Sequence, residues 1–174
     1  MNVELVHFYC HGQPDTQKLR RHSDMMLYSD ADLDGCHDFI QWLFPTPMSS
    51  QFNPQAPTLD GETIDNLIKN PEFHKNFSYS LQRIFKFLDF DFIHNSESKD
   101  NIIVASLNSG WWLRKNNHNN LRVSRILMSC KALGWDKTAD SLYDTLFKLF
   151  FSNPRAISRE TLYYWYCAVN GKNP

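Results

Sequence analysis

The stretch Asn70–Leu88, NPEFHKNFSYSLQRIFKFL, decides the fold. It opens on a helix-start signal. Asn70 is a good N-cap, Pro71 suits the first helical position, where a missing N–H costs nothing, and Glu72 puts negative charge in the first turn. Phe73, Phe77, Leu81, Ile84, Phe85 and Leu88 then recur at three- and four-residue steps, the period of a long helix with one face on a core.

Helical spacing continues on both sides. Upstream, Asp60 caps a short helix that closes near Asn70. Before it, four prolines fall between 45 and 57, around TPMSSQFNPQAP, and read as a strapped surface loop. Asp34 is an N-cap for a helix through Phe44 that Pro45 stops, and residues 15–29 follow the turn signal Gly12-Gln13-Pro14-Asp15 with Leu19, Met25, Met26 and Tyr28 at helical positions. His7 and His11 are four apart, in a segment with no helix signal of its own. Downstream, residues 94–110 break the period and read as a loop, with a brief strand at Ile102-Ile103-Val104 as the alternative. Helices follow over 117–133, closed by Gly134, over 136–151, and from the Ser158 cap to Gly171. The expectation is an all-α single-domain bundle, residues 1–174, of about seven helices with a Pro-rich loop after the second.

Composition bounds the function. A chain of 174 residues and 20.5 kDa fits one domain with a real core. Its 18 Lys plus Arg against 19 Asp plus Glu leave a net charge of −1, which argues against a polybasic membrane binder, though not against a local basic patch, and ranks nucleic-acid binding below the other classes. No run approaches the roughly 18 apolar residues of a membrane span, and MNVELVHFYCHG is no secretory signal. Cys10, Cys36, Cys130 and Cys167 show no metal or CxxC spacing, which reads as reduced thiols in a cytoplasmic setting. There is no HExxH, so no metal and no cofactor are expected. Aromatic residues make up 14% of the chain, a core built largely from rings. Oligomeric state is not legible.

One helix departs from a plain amphipathic pattern. At about 100° per residue, Val123, Ile126, Leu127, Cys130 and Leu133 fall on one side of helix 117–133, and Leu121, Met128 and Ala132 on another. Between these flanks lie His118, Arg122, Arg125 and Ser129, while Asn120, Ser124 and Lys131 take the solvent arc. Guanidinium groups aimed at apolar surface need a negative or strongly hydrogen-bonding mate, either an internal carboxylate such as Asp38 or Asp34 or an external anion. The arginine fork suits phosphate or carboxylate. Helix 34–44 offers His37, Asp38, Gln41 and Trp42 at the borders of its apolar face of Cys36, Phe39, Ile40, Leu43 and Phe44.

These residues resemble a known family. HDFIQWLFP (His37–Pro45), then Ser50, Phe52-Asn53-Pro54 and Ala56-Pro57, is similar to the signature block of the opioid growth factor receptor conserved domain. His118–Leu127, HNNLRVSRIL, resembles that family's HNxLRxTRIL motif. Phe90 stands where the family often has an FYG-like end to the long helix, and Glu160-Thr161-Leu162 with Tyr164-Trp165 is similar to the TLxYW ending of small bacterial relatives. Asp34 replaces a usual Glu and Ser124 a usual Thr. The long C-terminal repeats of the animal proteins are missing, which gives the look of the stand-alone form. The family name implies an opioid peptide ligand and, in animals, a nuclear association, but the resemblance supplies no reaction.

Together these readings point to a binding module with a pocket between helix 34–44 and helix 118–133 for a small anionic ligand or a peptide. Arg122 and Arg125 would grip the anion, His37, Asp38, Gln41, His118 and Asn119 would set hydrogen bonds, and Trp42 or Trp112 would wall the cavity. A hydrolase or transferase acting on a phosphate- or acyl-bearing substrate, with His37 or His118 as acid–base group, is the rival from another class, though no nucleophile motif or glycine loop supports it. In a third reading the two blocks only clamp the fold.

Overall fold

A computed structural model describes residues 1–94 and 102–172. Contacts divide the chain into two compact units, Met1–Arg83 and Ile84–Pro174. The described residues form nine helices and a two-stranded antiparallel sheet, so the expectation of a purely helical bundle of seven is corrected. None of these helices is long and apolar enough to cross a membrane.

In the first unit, α1 (Val3–Cys10) is a helix that the sequence did not announce. The Asn2 side chain accepts from the Leu5 amide at 3.3 Å, and Leu5, Phe8 and Tyr9 bury one face. The expected helical run over 15–29 shrinks to α2 (His22–Met26). The carboxylate of Asp15 takes the amides of Gln17 and Lys18 at 3.0 and 2.6 Å, and Leu19 sits at φ 57°, so residues 15–20 close into a turn instead of a helix.

The helix expected over 34–44 is two helices. Ser29 and Asp32 form a reciprocal cap that starts α3 (Asp30–Gly35) upstream of Asp34, which lies inside it. Cys36 then turns extended, with φ −95° and ψ 129°, so His37 and Asp38 fall in a connection before α4 (Ile40–Leu43). α5 (Gly61–Ile68) is capped by Asp60, whose carboxylate accepts the Thr63 amide at 2.7 Å. α6 (Pro71–Phe87) begins as its sequence demands, the Asn70 side chain accepting from the Glu72 amide at 2.9 Å. Phe73, Phe77 and Leu81 are fully buried, and Phe73 and Phe77 stack with centroids 5.3 Å apart.

In the second unit, β1 (Phe90–His94) pairs antiparallel with β2 (Ile102–Leu107), with an irregularity between Asp91 and Phe92. The 94–110 loop is thus replaced by a strand over 102–107, and residues 95–101 of it lie outside the described residues. Ile102 and Val104 are buried while Ile103 is exposed, the period-two alternation that three residues alone could not establish. α8 (Asp136–Ser152) serves β2 directly, since the Val104 amide donates to Ser141 Oγ at 3.0 Å. α7 (Asn119–Ala132) ends with Gly134 at φ 76° and the Trp135 amide donating back to the Cys130 carbonyl at 2.8 Å, a Schellman closure. α9 (Arg159–Val169) starts at Ser158, whose hydroxyl accepts the Thr161 amide at 3.0 Å.

Candidate functional site

The first motif block is built around packing. Phe39, Ile40, Trp42, Leu43 and Phe44 are all buried, so the short α4 is apolar on nearly every side and is held by the core around it more than by its own hydrogen bonds. Trp42 is fully buried, and its indole N–H donates to Gln17 Oε1 at 3.0 Å. Gln17 and Asn53 exchange amide hydrogen bonds of 2.9 Å in both directions, tying the Pro-rich loop to the turn after Asp15. Gln41 is buried too, its amide turned so that the nitrogen donates to the carbonyls of His37 and Asp38 at 3.2 and 3.1 Å.

Asp38 is the charged centre of the block. Its carboxylate accepts from Arg20 Nη1 at 2.7 Å, Lys18 Nζ at 2.6 Å and the Cys36 thiol at 3.0 Å. Burial works against its charge, but the hydrogen bonds from Lys18, Cys36 and Arg20 outweigh that and hold the carboxyl well below the usual range. Arg20 Nε also meets the fully buried Asp15 at 2.7 Å. Burial likewise opposes the Arg20 charge, and the bonds from Asp38 and Asp15 more than offset it and raise its pKa. Asp38 thus has its cations on the 15–20 turn of its own unit, an internal mate that no local spacing announces. Beside this cluster lies a concavity of about 670 Å³ lined by Lys18, Tyr28, Asp32, Cys36, His37 and Asp38, with His37 exposed.

The second block stands at the start of α7. Arg122 is 4% exposed, donates from Nη1 to Asn119 Oδ1 at 3.0 Å and lies 6.0 Å from the Phe87 ring centroid. The stripe is therefore inward at Arg122 and Ser129, as the helical angles require. Arg125, one turn on, is only half-buried, and burial lowers its pKa to about 10. His118 is the residue before the helix and is half-buried.

The arc assigned to solvent is wrong in part. Asn120 and Ser124 are buried because α9 lies over them, with the Trp165 indole donating to the Asn120 carbonyl at 3.0 Å. Leu121 is instead 52% exposed, and the less covered strip of α7 runs Leu121, Arg125, Met128 and Ala132. Trp112 is fully buried, and its N–H reaches the Leu88 carbonyl at 2.7 Å while Trp111 reaches the Phe87 carbonyl at 3.2 Å, so two indoles satisfy carbonyls at the end of α6.

A family model described as the opioid growth factor receptor (OGFr) conserved region matches residues 2–173. The chain belongs to this family. The match covers essentially the whole sequence, both motif blocks and both compact units included. Searches of curated proteins and of solved structures found no match.

Within the opioid growth factor receptor conserved region the predicted site residues fall into two groups. His37, Asp38, Gln41 and Trp42 gather in the first unit, and Trp112, His118, Asn119, Arg122 and Arg125 belong to the second. Asp15, Gln17, Lys18 and Arg20 were not foreseen as partners of the first block. The turn signal at Gly12–Asp15 located their loop, but nothing in the spacing says that its cations fold onto Asp38. Among the described residues no group of three or more His, Cys, Asp or Glu is placed to hold a metal ion.

Proposed function

We propose that this member of the opioid growth factor receptor conserved-region family is a binding module for a small anionic molecule or a peptide end, taken up in the cleft of the first unit. The observation carrying the proposal is that two residues of the signature block, His37 and Asp38, line a concavity of about 670 Å³ together with Lys18 and Tyr28, a size that suits a small ligand. Lys18 is 58% exposed and bonded to Asp38, which Arg20 and Cys36 also hold. Lys18 can therefore swing to a phosphate or carboxylate without leaving Asp38 bare. His37 adds a second donor, and the Tyr28 ring an apolar wall. The lining also carries two carboxylates, Asp32, engaged with Ser29 in the helix cap, and Asp38, engaged with Arg20, Cys36 and Lys18. The family name speaks of a receptor for a growth factor, which keeps peptides in the panel.

Thermal-shift titration with nucleotides, phosphorylated and acidic metabolites, and short peptides with free carboxylates tests this. Stabilisation by at least one compound is expected, lost in the double variant Lys18→Ala/His37→Ala. No stabilisation by any of them, or stabilisation that survives in this double variant, overturns the proposal.

A further inference from the structure

α1 ends in an arrangement that neither motif block uses. His7 and His11 lie four apart on a segment that is helical through Cys10, with the His11 amide closing onto the His7 carbonyl at 3.1 Å. That spacing stacks both side chains on one helix face. Their ring centroids are 5.3 Å apart and tilted by 48°. Both residues are exposed, and neither ring takes a hydrogen bond or ion pair among the described residues. Their nitrogens are thus open to a ligand, in contrast to His22, whose Nε2 is spent on Ser80 Oγ at 2.8 Å. Glu4, one turn below, is exposed and lines the same concavity of about 470 Å³ as His7, His11 and Asp15.

We propose that His7 and His11 form a two-histidine chelate for a divalent transition-metal ion. Two imidazoles at i and i+4 on a helix are the same pair of nitrogen donors that zinc helices use. Imidazole suits Zn(II), Ni(II) and Cu(II), with Cu(II) bound most tightly. No third His, Cys, Asp or Glu completes a cage among the described residues, so water fills the remaining positions and the site is open to an incoming ligand. The nearby Glu4 carboxylate favours the cation through space.

Isothermal titration of the untagged full chain with NiCl2, ZnCl2 and CuCl2 tests this. One ion per chain is expected, bound tightest for Cu(II), with affinity falling at least about tenfold in His7→Ala and in His11→Ala, because either change reduces a chelate to a single donor. The exposed His94→Ala serves as control and should bind as the parent does. Melting temperature in the absence of metal verifies that each variant folds. In the parent it should rise with added Ni(II), and in His7→Ala/His11→Ala it should not. Absence of binding to all three ions, or unchanged binding in the double variant, overturns the proposal. These outcomes are independent of the anion titration, which reads Lys18 and His37.

Discussion

His22 offers a quantitative test of how the first unit is held. The residue is 5% exposed, its Nε2 is hydrogen-bonded to Ser80 Oγ, and its ring lies 5.8 Å from Phe8 and 5.6 Å from Tyr9 between centroids. Burial lowers its pKa from 6.5 to about 4, against smaller opposing effects of the Asn76 backbone and Glu72. The unfolded chain therefore binds this proton at higher pH than the folded chain does. Stability is fully present above the unfolded value and declines as pH falls from about 6.5 to about 4, below which both states carry the proton. A gap of roughly two and a half pKa units corresponds to about 3 kcal/mol at most, of which about 2 kcal/mol is lost between pH 7 and pH 4.5. Urea unfolding at these two pH values, on the parent and on His22→Gln, isolates the contribution, since every carboxylate is common to both proteins. The parent should lose about 2 kcal/mol more than the variant on acidification. Equal losses in the two proteins would refute the assignment of His22 as a neutral, desolvated core group.

Two further substitutions probe the clamps. Arg20→Met strands the fully buried Asp15 and removes one cation from Asp38, and should cost about 3–5 kcal/mol in urea unfolding, part of it recovered by adding Asp15→Asn. A cost near zero would mean that the ion cluster is incidental. Trp165→Phe keeps most of the buried ring but leaves the Asn120 carbonyl without its indole donor, an expected loss of about 1–2 kcal/mol, read by thermal or chemical unfolding.

Legibility in the sequence followed how local each cause is. Asn70-Pro71, Asp60, Ser158 and Gly134 mark helix ends where the structure has them, because caps and left-handed terminators act within a few residues. Asp34 misled for the same local reason. It is an acceptable cap, but the Ser29–Asp32 box upstream satisfies two amides at once and takes the helix start. The inward position of Arg122 was readable from angle alone. The exposure of Leu121 and the burial of Asn120 and Ser124 were not, since they depend on α9, whose docking is set some forty residues later through Trp165. The strand over Ile102–Leu107 is only an alternative to a loop in the sequence, because a strand needs a partner and nothing in line announces β1 after α6.

Sequence by itself determined the helical period, most helix boundaries, the aromatic core and the family, all of which rest on short-range geometry or on motifs read in line. Tertiary structure decided which charges meet. Asp38 found Arg20 and Lys18 from the preceding turn, and Asp15 found Arg20. Charge pairing and burial depend on what folds over a side chain, and a linear pattern carries the need for a partner without carrying its address.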